Sequence, residues 1–340
     1  MPTLKNIDYR SLPISDYNRR YILWLLPQLD YYLDIYRRAI CTALQDIGRP
    51  LEHTTVVDYG GGHGFLSVVA KEMGVGRVLY VDYNPDSAAT VKAIAAAAGY
   101  GPDVVLTGDA ATLCAWCEEH SVVPDAVLGM DVVEHIYRLD TFFADIFAIN
   151  PAMRMVLTTA SNPCNPRVVR RLHRIMKADE LGSATRPGFR ALRRQRLVEA
   201  YPDMSPADLD RWAAATQGLT YDDAVRAVGQ QQGQGTGTAH MDATGACPLS
   251  RYNTCDPATG SWTERLLPLS EYRRLLHPFG ARLTVANGRY NTRRYGFKAV
   301  AARLANGLLR CNAMRCMAPF IILNVNIPHT NKHHHAHLAN

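Results

Sequence analysis

Residues 58–64, which read Asp-Tyr-Gly-Gly-Gly-His-Gly, are the part of the chain whose residue types and spacing point most directly to chemistry. The β-branched run 54–58 before them predicts a short buried strand, and the apolar spacing Phe65, Val68/Val69, Met73 predicts a helix directly after them. Glycines let the backbone approach a ligand, and a helix N-terminus offers unpaired N–H groups and partial positive charge. The segment therefore predicts a ligand-binding turn between a strand and a helix.

The glycine spacing separates two classes of ligand. Dinucleotide sites use G-x-G-x-x-G, because a pyrophosphate must lie on the helix N-terminus. Here the glycines are at 60, 61, 62 and 64, and Asp58 precedes the first by two residues. A carboxylate at that position repels a pyrophosphate and attracts the ammonium group of an amino-acid moiety. S-adenosylmethionine carries such a group, and the turn therefore favours it over a dinucleotide.

Acidic residues also follow the next strands. Asp82 ends the strand predicted at 77–82, where its carboxylate could accept hydrogen bonds from both hydroxyls of a ribose. Asp109, in the segment Thr-Gly-Asp-Ala after the third strand, could accept from an adenine amino group. The segment 128–135 at the end of the fourth strand would then form the floor on which donor and acceptor meet.

These turns require a frame in which strands and helices alternate. Such alternation indicates right-handed β-α-β crossovers and a parallel sheet covered on both faces. The hydrophobic pattern predicts strands at 54–58, 77–82, 103–107, 125–130 and 153–159, and helices at 64–74, 85–98, 110–119 and 138–149. After a helix from 165 to about 177, the pattern resumes with a helix at 270–277, a strand at 282–288, a helix at 297–313 and a strand at 319–325.

The motifs DYGGGHG, VDYNP, GDA and DVVEH resemble, in order and spacing, the class I S-adenosylmethionine-dependent methyltransferases, especially the small-molecule branch that includes quinone-pathway enzymes. The resemblance covers about residues 50–162 and, more loosely, 270–326. It implies an α/β, Rossmann-like seven-stranded sheet, mostly parallel with the last strand antiparallel, and S-adenosylmethionine as cofactor. The implied cofactor-binding residues are Asp58, Tyr59, Gly60, Gly61, Gly62, Gly64, Asp82, Tyr83, Asp109, Ala110 and Asp131.

The same pattern divides the chain into segments. We expect N-terminal helices in 1–49, the cofactor-binding core in 50–162 and the remainder of the core sheet in 269–328. Between them, 163–268 reads as a helical insertion or lid, in which 230–246 has almost nothing to bury and is expected to be flexible. The His-rich tail 329–340 is expected to be disordered.

The resemblance implies in-line transfer of a methyl group to an oxygen, nitrogen or carbon atom of a small metabolite, which could be aromatic, sugar-like or lipid-linked. A base is needed only if the acceptor must lose a proton early. His135 and Glu134, just past the fourth strand, are the candidates, although a histidine there could equally cap the next helix or line the pocket. A non-catalytic cofactor-binding protein and an aminopropyl transferase are the alternative functions.

Asp131, Glu134 and His135 also resemble the metal-ligand cluster of the small-RNA 3′-end methyltransferases. The further histidine motif of that family has no counterpart here, and we expect no metal. Two sets of residues are candidates for binding the acceptor, the N-terminal tyrosines and the arginines of 167–174 and 190–196, although the arginines could also form a solvated helix face. The specific candidates are Tyr17, Tyr21, Arg167 and Arg171.

The predicted helix 297–313 carries Phe297, Val300, Leu304 and Leu308 on one side. This face could pack against the sheet between the last two strands, or it could rest on a membrane surface or cover a lipid-like acceptor. We expect a small-molecule acceptor, which could be anionic or lipid-linked. The sequence leaves the oligomeric state open, and a homodimer is one possibility.

Composition and charge restrict the partners and the cellular location that the sequence predicts. The net charge of +6 on 340 residues does not indicate a nucleic-acid partner. No apolar run reaches the length of about 18 residues that a spanning helix needs, and the N-terminus lacks the apolar core of a signal peptide. The eight cysteines lack the spacing of a disulfide framework. These features predict a cytoplasmic protein.

Overall fold

The structure is a computed structural model that describes residues 3–45, 47–232, 250–293 and 296–327. Its centre is a seven-stranded sheet in the order β3-β2-β1-β4-β5-β9-β8. Strands β1 to β5 are parallel, and β9 is antiparallel to both of its neighbours, β5 and β8. The predicted fold class is confirmed. The strands are β1 Thr55–Tyr59, β2 Arg77–Asp82, β3 Val104–Thr107, β4 Ala126–Met130, β5 Arg154–Thr159, β8 Arg282–Asn287 and β9 Ile321–Asn326.

Helices precede the sheet, cross over between its strands and fill the long connection between β5 and β8. A small hairpin, β6 Gly182–Ser183 and β7 Arg186–Pro187, follows α7. The helices are α1 Asp16–Leu25, α2 Leu29–Leu44, α3 Phe65–Glu72, α4 Pro85–Ala98, α5 Ala110–Glu119, α6 Leu139–Ile149, α7 Pro166–Leu181, α8 Phe189–Ala200, α9 Pro206–Ala215, α10 Tyr221–Gln232, α11 Leu269–Leu276 and α12 Phe297–Leu308.

Both faces of the sheet are buried. Val56 packs with α2 and α3 on one face, and its neighbour Val57 packs with α5 and α6 on the other, because successive side chains of a strand point to opposite sides. Both side chains are fully buried. A sheet covered in this way brings the carboxyl ends of β1, β2, β3 and β4 together at one edge, where the predicted motifs lie.

The segment between β5 and α11 builds its own small cores. Leu197, Leu209, Ala213 and Val228 pack together and join α8, α9 and α10. Helix α7 ends at Leu181, beyond the predicted end near 177, and glycine follows it at 182. The predicted flexible stretch 230–246 lies outside the described residues from 233 onward, and the predicted disordered tail 329–340 lies entirely outside them.

Helix α12 corrects one expectation. Its apolar face does not pack against the sheet: Phe297 is 84% exposed and Leu304 is 69% exposed, whereas the small residues Ala299 and Ala302 form the buried side. The helix also ends at Leu308 and not near 313. Within the described residues, no helix is both long and apolar enough to cross a bilayer.

Candidate active site

The glycine turn connects β1 to α3 and has two kinds of glycine. At Gly60, with φ +64°, a Cβ atom would lie 2.2 Å from the side chain of Val132, so close packing and backbone conformation both exclude a side chain. Gly62, with φ +53°, would point a Cβ into space with no atom within 4 Å. The backbone at Gly62 therefore faces open space, and a ligand can approach it there.

Asp58 lies beneath this turn and is only 2% exposed. Its Oδ2 accepts hydrogen bonds from the backbone N–H of Ser67, at 3.0 Å, and from the Ser67 hydroxyl, at 2.6 Å. Burial outweighs these two bonds and raises the pKa of Asp58 to about 7. A cation placed next to Asp58 would favour its ionised form. No pattern in the sequence indicated that Ser67 is the partner of Asp58.

Asp82 fastens the turn to the end of β2. One carboxylate oxygen accepts from the backbone N–H of Gly62 and the other from that of Asn84, both at 2.8 Å. Burial raises the pKa of Asp82. Each carboxylate oxygen can accept a further hydrogen bond, so both remain able to accept from ligand hydroxyls.

Two cavities meet along this edge of the sheet. The first has a volume of about 470 Å³ and is lined by Asp58 and residues 60–62. The second has a volume of about 770 Å³ and is lined by Asp109 and Tyr83. Residues that line both cavities are Gly60, Asp82, Asn84 and Asp131.

The remaining predicted cofactor residues support or border these cavities. Tyr59 packs its ring 4.9 Å from that of Phe142 in the wall of the second cavity. Ala110 borders the same cavity at the start of α5, where the Asp109 side chain caps the helix by accepting from the Thr112 N–H at 3.1 Å. Gly64, with φ +76°, is the residue before α3. The structure therefore brings the predicted cofactor residues to one edge.

Tyrosines from α1 and α2 form the opposite wall of the first cavity. The two predicted acceptor residues, Tyr17 and Tyr21, lie in this wall, and Phe320 closes it from the start of β9. The ring of Tyr21 stacks on that of His63 at 5.8 Å between centroids. The other tyrosines of the wall are Tyr31, Tyr32 and Tyr36.

Burial holds three ionisable groups beside the first cavity, His63, Tyr21 and Tyr36, in their neutral forms. Burial lowers the pKa of His63 to about 4 and raises that of Tyr21 to about 12. Tyr36 is buried, and burial raises its pKa well above the ordinary value. The sequence showed the tyrosine stripe of α2 but not which face of the cavity it forms, and it assigned no role to His63.

Asp131 occupies the junction of the two cavities. It has φ +51°, a left-handed conformation that is strained for a residue with a side chain. Its N–H lies 3.1 Å from the hydroxyl oxygen of Thr158, which in turn donates to the Asp131 carboxylate at 3.2 Å. Desolvation, opposed by the hydrogen bond from Thr158, raises the pKa of Asp131. The loop conformation and Thr158 thus hold a carboxyl group where the two cavities meet.

Neither of the two candidate bases, Glu134 and His135, lies at the junction of the two cavities. Glu134 is 1% exposed and lies behind the cavity wall, where its Oε1 accepts from the Ala160 N–H at 3.0 Å. Burial, and secondarily Asp131, raises the pKa of Glu134 well above its usual range. His135 lines the second cavity, and its Nδ1 lies 2.7 Å from the Trp262 carbonyl oxygen. A base role for either residue stays a prediction.

Other sequence candidates are not brought to this edge. Arg167 and Arg171 are exposed on α7 and line neither cavity, whereas Arg170 and Arg174 border a separate hollow of about 560 Å³. Arg193, expected among the anion-binding arginines, is fully buried and pairs with Glu180. Within the described part of the chain, no three histidine, cysteine or acidic side chains come together as metal ligands.

The strand order and the glycine turn after β1 now allow the fold to be identified. A parallel β3-β2-β1-β4-β5 half, completed by an antiparallel strand between β5 and the edge strand β8, is the sheet implied by the motif resemblance. The chain has the class I methyltransferase fold. No protein-family model matches the chain, and no curated protein matches it.

Solved structures do match. An S-adenosylmethionine-dependent methyltransferase from Archaeoglobus fulgidus is 13% identical, with a TM-score of 0.42 over 90% of this chain and 99% of its own. The plantazolicin methyltransferase BamL, in complex with a triazolic desmethylPZN analog and SAH, is 9% identical, with a TM-score of 0.39 over 87% and 84%. A ribosomal protein L11 methylase from Lactobacillus delbrueckii subsp. bulgaricus is 20% identical, with a TM-score of 0.27, and this chain covers 56% of it. At such identities and scores, the matches say nothing about the acceptor.

Proposed function

We propose that this protein is an S-adenosylmethionine-dependent methyltransferase whose acceptor is a small, uncharged, ring-bearing molecule. The observation that supports the proposal is the meeting of two cavities at Gly60, Asp82 and Asp131, with the side chains of Asp58, Asp82 and Asp109 along their walls. The fold alone would not carry it, since one fold hosts many functions.

The residues present fit the cofactor. Asp58 can pair with the ammonium group of the methionine part, and the backbone at Gly62 leaves room for it. Asp82 keeps acceptor capacity for the ribose hydroxyls, although both of its oxygens already hold a backbone N–H. Asp109 borders a cavity whose wall includes Val132, and it can accept from the adenine amino group there.

The bound cofactor would supply an electrophilic methyl group on a positively charged sulfur. The chain's own task is then to align the acceptor and to exclude water. The aromatic rings of Tyr21 and Tyr36 offer flat apolar surfaces to a ring, and their neutral hydroxyls offer hydrogen bonds. Asp131 can accept a hydrogen bond from an acceptor hydroxyl or amine, and its raised pKa suits it to take that proton.

The charge of the first cavity restricts the acceptor. Of the described residues, no lysine or arginine lines this cavity, and its histidine is neutral because burial lowers the pKa of His63 to about 4. An anionic group would therefore meet Asp58, Asp82 and Asp131 with no cationic side chain beside it, and the cofactor's ammonium group would already be paired with Asp58. This arrangement disfavours an anionic acceptor group and favours an uncharged one.

The test is transfer of isotope-labelled methyl from S-adenosylmethionine to the small-molecule fraction of a host extract, followed by identification of the labelled product. Wild-type protein should label one product, and Asp131→Asn should lower kcat about a hundredfold with little change in the KM for the cofactor. Glu134→Gln is the matched comparison and should lower kcat far less.

A large loss of kcat in Glu134→Gln, without one in Asp131→Asn, would identify Glu134 as the base. Cofactor binding without any transfer of label would indicate a non-catalytic binding protein. Labelling of the extract's proteins, with none in the small molecules, would contradict the proposed acceptor class.

A further inference from the structure

Helix α12 presents its apolar side to solvent. With about 3.6 residues per turn, Phe297, Val300, Leu304 and Leu308 lie along one side of the helix. These four side chains are between 51% and 84% exposed. The buried side of the helix is formed by Ala299 and Ala302. The apolar stripe therefore points away from the protein, which is the reverse of an ordinary surface helix.

Cations flank this stripe. Lys298 and Arg303 lie on the two sides of the helix between the exposed apolar stripe and the buried side, and Arg310 follows its end. All three are exposed, and none has a carboxylate partner among the described residues. Long basic side chains in this position can extend to a negatively charged surface while the apolar stripe enters it.

The sequence on both sides of α12 is also positively charged. After Glu271 the chain has no aspartate or glutamate up to residue 340, and it has 11 lysines and arginines. The first 271 residues hold the other 26, against all 31 acidic residues. The positive charge of the protein is thus concentrated in the part of the chain that contains the exposed apolar stripe.

The helix is linked to the rim of the tyrosine-lined cavity. Asn306 of α12 donates to the carbonyl oxygen of Tyr290 at 2.9 Å, and the Tyr290 hydroxyl donates to the Met317 carbonyl oxygen at 2.7 Å. Next to Tyr290, the Arg289 carbonyl oxygen accepts from the hydroxyl of Tyr31, which lines the cavity. These contacts connect α12 to Tyr31 in the lining of the cavity.

We propose that α12 docks the protein on an anionic lipid bilayer, with the apolar stripe inserted among the lipids and the cations against the headgroups. A helix of 12 residues with one apolar side lies in the interface and does not span the membrane. A second copy of the chain is the less suitable occupant, because symmetric pairing of this face would bring Lys298 and Arg303 of the two copies together with no acidic residue between them. The inference is independent of the reaction.

The test is sedimentation of the full chain with vesicles of phosphatidylcholine alone and of phosphatidylcholine mixed with phosphatidylglycerol. Wild-type protein should sediment with the mixed vesicles, weakly or not at all with phosphatidylcholine, and less as salt is added. Leu304→Ser should lower the partition coefficient by about tenfold or more. Lys298→Gln and Arg303→Gln should each lower it about fivefold.

Val123→Ser is the matched control, because Val123 is also an exposed apolar residue, 62% accessible, but lies between α5 and β4. It should leave sedimentation unchanged. Circular dichroism of Leu304→Ser should match wild type, since the altered side chain is exposed.

Equal sedimentation of wild type and Leu304→Ser would overturn the proposal. So would a wild-type dimer that ignores both kinds of vesicle and dissociates in Leu304→Ser, because the stripe would then bind a second copy.

Discussion

Asp58 is buried almost completely, and its proton state couples the glycine turn to pH. The free aspartate pKa is about 3.9, whereas burial raises that of Asp58 to about 7. Between these values the folded protein holds a proton that the unfolded chain has released. The stabilisation from this proton is fully present below about pH 4 and is lost as the pH rises through about 7.

Asp58→Asn should remove this dependence. The amide oxygen can still accept from the N–H and hydroxyl of Ser67, but the side chain no longer titrates. The free energy of unfolding of the variant, minus that of wild type, should therefore increase between about pH 5 and about pH 8. Urea denaturation at several pH values measures this difference. A difference that stays constant over the range would contradict the burial argument.

The positions of Asp131 and Glu134 could be predicted from the sequence, but the directions of their side chains could not. Their position after the fourth strand was predicted, because the end of a strand can be read from its apolar run. The sequence could not predict which of the two carboxyl groups enters the cavity. That depends on the left-handed backbone at Asp131 and on the hydrogen bond that Glu134 accepts from the N–H of Ala160, 26 residues further along the chain. Such contacts leave no periodic signal in a single sequence.

At the scale of elements, one buried ion pair ties the helices between β5 and α11 together. Arg193 of α8 pairs with Glu180 of α7 and also donates to the Ala213 carbonyl oxygen of α9 at 3.2 Å. The hydroxyl of Thr254 donates to the second oxygen of Glu180 at 2.7 Å. Removing the guanidinium would leave the carboxylate of Glu180 buried without its cation.

Arg193→Ala should therefore lower the free energy of unfolding by about 3–5 kcal/mol. The matched control is Arg194→Ala on the same helix, which removes an exposed pair with Asp210 and should cost less than about 1 kcal/mol. Chemical denaturation of both variants gives the comparison. Similar small losses in both would mean that the buried pair does not hold these helices together.

The elements themselves were largely predictable, and their orientation was only partly so. Helix α4 begins and ends where the sequence predicts, because Asn84 and Pro85 mark its start and Gly99 its end. The apolar stripe of α12 was equally visible, but the sequence left open whether it packs against the sheet, and in the structure it does not. Periodicity shows that a helix has an apolar side but not whether another part of the protein covers it.

At the scale of the molecule, the sheet brings side chains far apart in sequence to one edge. Asp58, Asp82, Asp109 and Asp131 come from four successive crossovers, and the parallel order of β1 to β4 makes their loops neighbours. The sequence predicted this half of the site. The tyrosine wall could not be placed, because α1 and α2 precede the sheet and no motif fixes where they pack.

The most direct test of the account is calorimetric titration of ligand-stripped protein with S-adenosylmethionine. We expect saturable binding at one site per chain and no binding of NADH. Asp82→Ala should weaken the binding of S-adenosylmethionine about tenfold or more, and the exposed neighbour Asp86→Ala should leave it unchanged. An absence of heat with S-adenosylmethionine, together with tight binding of NADH, would contradict the account.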